Sequence, residues 1–350
     1  MKLKMRGLSS ITTVAASTVL SIGSCVNGFS VVAPLVTSAK TFSSSRRETS
    51  SLWAEGGPPK YDKRMGRLRQ AEAVAEGSVL LHIDDDDDGP ELDYEPGHVL
   101  ALEIEEIGGS DDGEWLRGPY TVTRGTDSSI DILLKVVGKK SKTFANAPPG
   151  TPVRFGGKFH VPIVEGILSA KSKSDDGPAP ANPTKRVVMI SSGVGVGPCI
   201  GAIEKLITDD DVSSSFDAKV ELFASYRTKE EIVAENQLNE LQAKYTERFS
   251  WTPIITDRMG RLSSKDENIG LVLRQGEEGD ATCNISETHY HLIGNGQMVS
   301  EWKQGLQKGG VPENRITIES YFNHRSEPNK AAIERIASMV ESGALAKPAV

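Results

Sequence analysis

A glycine-rich turn carries the clearest chemical signal in the sequence. Residues 191–198 read Ser-Ser-Gly-Val-Gly-Val-Gly-Pro, between a run that predicts a strand and a run that predicts a helix. Backbone amides at a helix start can bind a pyrophosphate and gain from the helix dipole. The turn departs from the G-x-G-x-x-G fingerprint because Pro198 occupies the place of the third glycine. We therefore predict a nucleotide-binding site at Gly193, Val194, Gly195, Gly197 and Pro198. The alternative is a tight strand-to-helix turn that binds no ligand.

Basic residues follow the next two predicted strands. The first of these strands ends in Ala224-Ser225-Tyr226-Arg227, where a typical NAD site places an acid for the ribose 2′-hydroxyl. A hydroxyl and a guanidinium suit a 2′-phosphate instead, so Ser225 and Arg227 favour NADP over NAD. The next strand leads into Arg258 and Arg261, which add two guanidinium groups. For each arginine taken alone, a solvated surface position is the alternative.

The second half of the chain alternates strands with helices. Strands are predicted at residues 187–191, 220–224, 250–256, 289–293 and 315–319, and helices at 200–207, 230–245 and 298–306. This alternation is typical of a parallel sheet covered by helices on both faces, and it predicts an α/β domain over residues 185–323. Ligands of such sheets bind at the carboxyl ends of the strands, where the glycine turn and the arginines both fall.

The first half has a different rhythm. Short alternating runs over residues 75–170, such as 99–104, 131–137 and 152–155, predict a small antiparallel β-barrel. Residues 171–184 are rich in Ser, Asp, Gly, Pro and Ala and break both periodicities, which predicts a linker. Residues 324–350 have a helical pattern and form a predicted C-terminal extension.

Charge is distributed unevenly along the chain. The 350 residues carry a formal charge of −8, but residues 1–52 hold six Lys and Arg residues and one acid. The remainder has 34 bases and 47 acids, a formal charge of −13. A body this acidic argues against general binding of nucleic acid or of an anionic membrane. Cys25, Cys199 and Cys283 lie too far apart in sequence to indicate a zinc or iron–sulfur site, and no metal is predicted.

Residues 1–55 have the composition of a targeting segment. Three bases open the chain, residues 8–22 are mildly apolar, and the small residues of 25–28 suit signal cleavage. The Ser-rich stretch 29–52 has the composition of an organellar transit peptide. A signal joined to a transit segment resembles the bipartite presequence of algae with complex plastids, which predicts plastid import. A disordered tail and plain secretion are the alternatives, and the two cysteines beyond this segment argue against secretion.

Short motifs follow one another in a recognisable order. In the first half they are Tyr-Glu-Pro-Gly-His (94–98), Arg-Gly-Pro-Tyr-Thr (117–121), Gly-Lys-Lys-Ser-Lys-Thr-Phe (138–144), and the stretch from Pro-Gly (149–150) to Gly-Gly-Lys-Phe (156–159). In the second half they are 193–198, 225–227, Ile-Gly-Asn-Gly-Gln-Met (293–298) and Ile-Glu-Ser-Tyr-Phe (318–322). Together, over residues 75–323, they resemble the ferredoxin-NADP reductase superfamily. The resemblance implies an antiparallel FAD-binding β-barrel followed by an NADP-binding parallel-sheet domain.

The resemblance also assigns roles in the barrel. Tyr120 would lie against the flavin ring, and the hydroxyl of Thr121 would lie near flavin N5, the atom that accepts hydride. Residues 138–144 would form a loop around the FAD pyrophosphate, with contacts from Arg117, Gly138, Lys139, Lys140 and Ser141. The alternatives are a packed barrel aromatic for Tyr120 and a plain turn residue for Ser141.

In the parallel-sheet domain the resemblance points to the end of the last strand. Glu319 and Tyr321 would face the nicotinamide side of the flavin, and an edge-strand carboxylate is the alternative for Glu319. Gly294 and Met298, in the late glycine motif, would contribute to nucleotide binding.

Two departures from the family pattern stand out. The usual Arg-x-Tyr-Ser/Thr motif has its arginine two positions before the tyrosine, whereas Arg117 stands three before Tyr120, so a bulge or another base is needed. The family often has a cysteine before the late glycine, but here Ile293 stands there. Cys199 and Cys283 are each interpreted as a small buried thiol. The C-terminal extension either covers the flavin or trails from the domain.

The function implied is an FAD-dependent reductase that passes a hydride between NADPH and flavin N5, then exchanges electrons with a protein or small acceptor. Ferredoxin is the family's plastid partner, and a local basic patch could receive it despite the acidic body. The candidate patch residues are Lys135, Lys139, Lys140, Lys142, Arg154 and Lys158. The alternatives are a cytochrome or quinone reductase, including an NADH-linked one, and a non-catalytic flavin- or nucleotide-binding protein.

Overall fold

The computed structural model describes residues 61–105, 115–169, 183–213, 216–273, 285–321 and 327–345. The expected targeting segment, residues 1–55, lies outside these ranges, as do 171–182 of the expected linker and Cys25 and Cys283. None of the helices in the described ranges is both long and apolar enough to cross a lipid bilayer.

The first half of the described chain is an antiparallel sheet that curves into a half-barrel, as predicted. Its strands are β1 (Arg64–Ala75), β2 (Ser78–Asp85), β3 (Val99–Glu105), β4 (Trp115–Thr121), β5 (Arg124–Gly125), β6 (Ser129–Lys135) and β7 (Thr151–Gly156), in the order β4-β3-β7-β1-β2-β6-β5. Successive side chains point to opposite faces, so one face buries an apolar core that includes Leu68, Leu81, Leu100 and Phe155. Helices α1 (Lys139–Asn146) and α2 (Ile163–Ser169) follow β6 and β7.

The second half is a parallel sheet with helices on both faces, also as predicted. Its strands are β8 (Arg186–Ser192), β9 (Lys219–Tyr226), β10 (Phe249–Ile255), β11 (Thr288–Asn295) and β12 (Ile316–Tyr321), in the order β10-β9-β8-β11-β12. The helices are α3 (Val196–Thr208), α4 (Asp210–Ser213), α5 (Glu235–Lys244), α6 (Thr256–Met259), α7 (Asp266–Leu273), α8 (Gly296–Lys308) and α9 (Lys330–Leu345). One apolar core lies under α3, and a second lies between the sheet, α8 and α9.

Strand β1 precedes residue 75, where we expected the barrel to begin. It pairs with β2 and β7 and is therefore part of the same sheet. The sequence pattern did not indicate it because only Gly66 and Leu68 of its twelve residues are buried, so the strand has no sustained alternation of apolar and polar residues. Several of them form ion pairs across the strand pair, including Arg67 with Asp86 and Arg69 with Asp84 at 3.1 Å.

Two other local predictions differ from the structure. Residues 139–146 form helix α1 where we expected a loop, because Ser141 Oγ accepts hydrogen bonds from the amides of Val137 and Gly138 at the helix start. The predicted helix over 230–245 is shorter and begins at Glu235. Ala234, just before it, has a left-handed φ of 56°, which separates the helix from a 3₁₀ turn at Lys229–Glu231.

The expected C-terminal extension is an integral part of the parallel-sheet domain. Helix α9 packs on α8, and Ile336 and Val340 are buried in the same core as Trp302. A methyl group added at Gly305 would lie 2.5 Å from Ile336 Cβ, and one at Gly309 would lie 2.5 Å from Val340 Cβ. The two glycines therefore allow the two helices to approach closely.

The barrel and the parallel sheet meet along α3. A methyl group at Gly201 would lie 1.9 Å from the carbonyl oxygen of Thr123, so this helix lies directly against the barrel backbone. Ion pairs surround the contact: Arg124 binds Glu204 at 2.7 Å, Lys205 binds Glu95 at 2.8 Å, and Lys135 binds Glu231 at 3.0 Å. This packing positions the ends of β4, β8 and β12 around a shared cleft.

Candidate active site

A cavity of about 440 Å³ opens between the barrel and the end of the parallel sheet. It is bounded by the end of β4, by β6, by the start of α1 and by the end of β12. Its lining includes the expected site residues Tyr120, Thr121, Gly138, Lys139, Lys140, Ser141, Val194, Glu319 and Tyr321. It also includes Gly118, Pro119 and Ser320 of the sequence motifs, Lys135 of the candidate basic patch, and four residues that the sequence analysis did not single out: Val99, Leu133, Leu134 and Val137.

The end of β4 brings an aromatic ring and a hydroxyl to the cavity. The ring of Tyr120 packs edge-on against Phe144 of α1, with ring centres 5.6 Å apart, and burial raises the pKa of Tyr120 to about 12. Thr121, the next residue, is buried and donates a hydrogen bond to the carboxyl group of Glu319. This bond joins the barrel to the last strand of the parallel sheet.

Glu319 is a buried acid with one uncommitted oxygen. Only 3% of the residue is exposed, and Oε2 has no hydrogen-bond partner among the described residues. Burial raises the pKa of Glu319 to about 8, and the hydrogen bond from Thr121 partly opposes that rise. The carboxyl group is therefore mainly protonated at neutral pH. Burial, together with the nearby Glu319, raises the pKa of Tyr321 well above its usual range.

The start of α1 forms the opposite wall of the cavity. The hydroxyl of Ser141 caps this helix and donates to the carbonyl oxygen of Gly138 at 3.1 Å. Lys140 Nζ donates to the carbonyl oxygen of Arg117 at 2.8 Å, which holds an ammonium group over β4. A methyl group added at Gly138 would meet nothing within 4 Å, so the backbone there faces open space. The wall thus combines the ammonium group of Lys140 with an accessible stretch of backbone.

A second cavity, of about 230 Å³, lies at the carboxyl ends of β8, β9 and β10. The expected residues in its lining are Gly193, Ser225, Arg227, Arg261 and Met298. Gly193 has a φ of 56°, and an added methyl group there would meet nothing within 4 Å, so its backbone faces open space. Val194, the next residue, lines the first cavity, so this single turn separates the two cavities.

Other residues of the glycine motifs serve packing. A methyl group at Gly197 would lie 2.8 Å from Leu133 Cβ of the barrel, and Pro198 is buried beside it. A methyl group at Gly294, whose φ is 122°, would lie 2.3 Å from Ser192 Oγ, and one at Gly195 would lie 3.3 Å from Gly294 Cα. None of these four residues lines either of these two cavities.

Comparison with known proteins agrees with this architecture. Residues 189–304 match the family model for the oxidoreductase NAD-binding domain. A ferredoxin NADP⁺ reductase from Neisseria gonorrhoeae superimposes with a TM-score of 0.55 at 17% identity, over 75% of this chain and 100% of that one. The chain has the fold of the ferredoxin-NADP reductase superfamily. The resemblance inferred from the motifs is therefore confirmed at the level of the fold.

Other ferredoxin-NADP reductase-like structures are equally similar. The cytochrome b5 reductase domain of Ulva prolifera nitrate reductase gives a TM-score of 0.53 at 16% identity, over 74% of this chain and 97% of that one. Flavohemoglobin from Malassezia yamatoensis gives 0.54 at 18% identity, over 74% of this chain and 60% of that one. The chain thus spans little more than half of the flavohemoglobin. No curated protein sequence matches the chain.

The shifted arginine of the ferredoxin-NADP reductase motif has a geometric consequence. Residues three apart in a strand point to opposite faces, so Arg117 does not share the face of Tyr120 and does not line the cavity. Its guanidinium lies 4.7 Å over the ring of Tyr61 and its Nε lies 3.6 Å from Glu103 Oε1. The position two before Tyr120 is Gly118, where a methyl group would lie 3.2 Å from Lys140 Nζ. Lys140 Nζ therefore lies beside Gly118, on the side of β4 that faces the cavity.

The second departure from the ferredoxin-NADP reductase pattern is Ile293, which stands before the late glycine where the family often has a cysteine. Ile293 is fully buried at the end of β11 and packs in the core under α3. Cys199 belongs to the same core, fully buried, and burial raises its pKa well above the usual range, with a further rise from Glu319. The thiol of Cys199 therefore lies near Glu319, but it is carried by α3 and not by β11, where the family motif often has its cysteine.

Several polar residues of the nucleotide cavity were missed by sequence reasoning. Asn295 accepts hydrogen bonds from the amides of Gln297 and Met298 and so caps α8, while its own amide donates to Ser192 Oγ at 2.8 Å. An Asn-Gly pair before a helix is a cap signature that could have revealed it. Glu231, Thr256, Ser263 and Glu301 also line the cavity. Arg258 is exposed on α6 and does not line it.

Proposed function

We propose that the chain is an FAD-dependent reductase that takes a hydride from NADPH and delivers electrons to a protein or small acceptor. The observation that supports this most directly is the contact between Thr121 and Glu319. It places a hydroxyl and a protonated buried acid, one from each domain, in the lining of the larger cavity at the junction of the two domains. A cofactor in the larger cavity and a nucleotide in the smaller one would meet at this junction.

The residues of the larger cavity fit FAD. The aromatic ring of Tyr120 suits the flat flavin ring, and the ammonium group of Lys140 suits the pyrophosphate. The open space at Gly138 allows the cofactor to approach the backbone closely. The volume of about 440 Å³ lies in the range of cofactor sites. Glu319 Oε2, buried and without a described partner, is a hydrogen-bonding atom that a ligand can satisfy.

The protein's own contribution to the reaction is alignment and a held proton. When bound, FAD would supply the redox chemistry, since a flavin takes up hydride and gives up electrons. Tyr120 would bind the ring plane, and Thr121 would orient Glu319 by donating to its Oε1. The protonated carboxyl would hold a proton at Oε2, inside the cleft and shielded from water. Fixing the reacting groups in contact replaces a costly bimolecular encounter.

The smaller cavity favours NADP over NAD in this proposal. Ser225, Arg227 and Arg261 all line it, as a 2′-phosphate requires. The acid after β9 that lines this cavity, Glu231, is committed elsewhere: it accepts from Lys135 Nζ at 3.0 Å and from the amide of Arg227 at 3.1 Å. It therefore fixes the turn that carries Arg227.

Reduction of the purified full chain by NADPH tests the proposal. We expect a yellow protein whose visible absorption bleaches on anaerobic addition of NADPH. In Arg227→Ala the KM for NADPH should rise about tenfold or more, because a charge-assisted phosphate contact is lost, while the KM for NADH stays unchanged. Arg69→Ala, an exposed arginine on β1, is the matched control.

Other outcomes of this experiment would contradict the proposal. Colourless protein that takes up no added FAD would eliminate the flavin. Yellow protein that cannot reduce a dye with either nucleotide would favour the non-catalytic binding protein. Equal effects of Arg227→Ala on both nucleotides would eliminate the 2′-phosphate contact.

For the acceptor we propose an acidic electron-transfer protein such as ferredoxin, bound at the mouth of the larger cavity. Lys139 and Lys140 line this mouth, Lys142 is exposed on the same helix, and Val137 beside them is 79% exposed. Lys135 and Lys158 contribute less, because they form ion pairs with Glu231 and Asp93. A cytochrome or quinone acceptor is the alternative, and turnover with each acceptor in the presence of NADPH distinguishes them.

We further propose plastid import, directed by a presequence in residues 1–55. The support is compositional: a basic start, a mildly apolar stretch and a Ser-rich basic stretch. A fluorescent protein fused behind residues 1–55 should accumulate in the plastid of an alga with complex plastids. Cytosolic or secreted fluorescence would refute the proposal.

A further inference from the structure

We infer that helix α9 is a specificity element of the nucleotide site: Arg335 holds the loop that carries Arg261 in the form that receives a 2′-phosphate. The inference rests on the proposed function and adds to it a positioning residue outside the predicted nucleotide-binding domain. We call residues 258–266, which connect α6 to α7, the arginine loop.

The arginine loop is folded tightly on itself. It turns at Gly260, whose φ is 77°, and the hydroxyl of Ser264 donates to the carbonyl oxygen of Arg261 at 2.7 Å. Asn268 of α7 donates from Nδ2 to the carbonyl oxygens of Met259 and Arg261, both at 3.1 Å. These bonds shape the loop and attach it to α7, but they do not attach it to α9.

Arg335 of α9 supplies that attachment. Its Nη1 donates to the carbonyl oxygen of Ser264 at 3.0 Å, and its Nε lies 2.9 Å from Asp266 Oδ1. The guanidinium group of Arg335 thus binds the backbone of the loop at Ser264 and also the side chain of Asp266, the first residue of α7. The planar, multidentate guanidinium suits such a two-point contact in a way that a lysine does not.

A buried acid ties the same loop to the start of α9. Glu301 of α8 is 2% exposed and accepts hydrogen bonds from Ser263 Oγ at 2.5 Å, from Gln297 Nε2 at 2.8 Å and from the amide of Asn329 at 3.0 Å. Gln297 in turn accepts from Arg261 Nη1 at 3.1 Å. The side chain of Arg261 is therefore connected, through two hydrogen bonds, to the group that fixes the first turn of α9.

Helix α9 is a firm support for these contacts. Ile336 is buried against Gly305 of α8, and Val340 is buried against Gly309, which follows α8; a methyl group added at either glycine would lie 2.5 Å from the Cβ of its partner. Arg335 immediately precedes Ile336, so it is positioned by the most tightly packed part of the helix. Close packing of this kind allows little sliding of one helix on another.

A third cavity lies beside the arginine loop and adjoins the nucleotide cavity. A space of about 280 Å³ is lined by Arg335, Ala331 and Ala332 of α9 and shares Arg261, Ser263 and Glu301 with the nucleotide cavity. Helix α9 therefore forms the outer wall of the region where Arg261 lies. A loop held in its binding form before the ligand arrives loses less conformational freedom on binding, which strengthens affinity.

Binding of adenosine 2′,5′-bisphosphate to the full chain, followed by calorimetry, tests the inference, with 5′-AMP as the matched ligand without a 2′-phosphate. In Arg335→Ala we expect about tenfold weaker binding of the bisphosphate and unchanged binding of 5′-AMP. The KM for NADPH should rise by a similar factor, while kcat and the KM for NADH stay unchanged. Asp266→Asn should produce a smaller change in the same direction, since it weakens one of the two contacts.

The control variant is Glu334→Ala on the same helix. Glu334 forms an ion pair with Lys308 of α8 and makes no described contact with the arginine loop, so it should leave the bisphosphate affinity unchanged. Equal losses in Arg335→Ala and Glu334→Ala, or wild-type affinity in Arg335→Ala, would overturn the inference alone. A wild-type chain that binds the two nucleotides equally well would overturn the NADP preference as well.

Discussion

At the scale of single residues, the site depends on an acid that burial keeps neutral. Glu319 is enclosed at the junction of the two domains, and its only described protein partner is the hydroxyl of Thr121. An ionised carboxylate there would lose its hydration with a single hydrogen bond in return, which is unfavourable. Protonation removes that cost and leaves a donor at Oε2 for a ligand.

The raised pKa of Glu319 makes stability depend on pH in a defined direction. Its pKa is about 8 in the folded chain against 4.5 as the ordinary value, so between these values only the folded chain holds the proton. Stability should then fall as pH rises from 4.5 to 8, by about 1.4 kcal/mol per pH unit from this group. In Glu319→Gln this contribution should vanish.

Urea unfolding between pH 5 and pH 8 measures the effect. The difference in unfolding free energy between wild type and Glu319→Gln should change with pH, whereas Glu240→Gln, an exposed acid on α5, should run parallel to wild type. Parallel curves for Glu319→Gln would mean that Glu319 is ionised in the folded chain.

Lys140 brings a cation to the side of β4 from which Arg117 is directed away. The strand alternation of β4 directs Arg117 away from the cavity and leaves Gly118 on the side of Tyr120. Lys140 Nζ occupies the space beside Gly118 and is fixed there by the carbonyl oxygen of Arg117. The cation thus comes from α1, a different element from the one that carries the family motif.

At the scale of elements, the cleft depends on two glycines that let α3 lie close against the barrel. Gly201 faces the backbone of Thr123 and Gly197 faces Leu133. These contacts set the distance between the end of β4 and the end of β12, and hence the contact between Thr121 and Glu319. The glycines of this helix therefore act on the site through domain packing.

Gly201→Ala tests this element directly. The added methyl group would lie 1.9 Å from a backbone oxygen, which cannot move as a side-chain end can, so α3 and the barrel must separate. We expect destabilisation of about 3 kcal/mol or more and a weaker cofactor site. Thermal unfolding and FAD titration measure the two effects.

Gly270→Ala in α7 is the matched helical control. Its methyl group would lie 3.3 Å from the flexible end of Met339, and alanine favours the helix. A change within about 1 kcal/mol, on the stabilising side, is expected. Similar losses in both variants would show that the contact between α3 and the barrel is not special.

At the scale of the whole molecule, buried histidines add a second dependence on pH. His289 and His291 of β11 both contact Thr317 Oγ1 at 2.9 Å, and burial lowers the pKa of each to about 3. Burial also lowers the pKa of His98 in the barrel to about 4. All three are neutral in the folded chain across the range in which an unfolded chain takes up protons.

Stability should therefore fall as pH drops from 6.5 toward 4. Each of these histidines contributes about 1.4 kcal/mol per pH unit, because the unfolded chain binds the proton and the folded chain does not. With the opposite slope from Glu319 at higher pH, these groups together place maximum stability near pH 6.5. The variant His289→Gln retains a donor toward Thr317. Its unfolding free energy should change less steeply with pH below 6.5, by about 1.4 kcal/mol per pH unit, which is the contribution of one histidine. Urea unfolding at pH 5 and pH 7 measures it, and an unchanged slope would mean that His289 is protonated in the folded chain.

Much of the architecture could be predicted from local pattern. Alternating apolar residues indicated the barrel strands, and the strand-helix alternation indicated the parallel sheet, because these periods reflect one buried face per element. Strand β1 was missed because its exposed face is polar and ion-paired with the acids of residues 84–87. Helix α1 was taken for a loop because its start depends on a cap from Ser141.

The sequence by itself determined the residue types of the site: an aromatic and a hydroxyl at the end of one strand, glycines at a turn, arginines at strand ends and an acid in the last strand. Only the tertiary structure decided which of them meet. Thr121 and Glu319 are 198 positions apart and touch, whereas Arg117, three positions from Tyr120, faces away from it. Helix α9 likewise joins the nucleotide domain through packing on α8. The physical reason is that periodicity records which face of an element is buried, while the partner of that face is set by side-chain packing between distant elements.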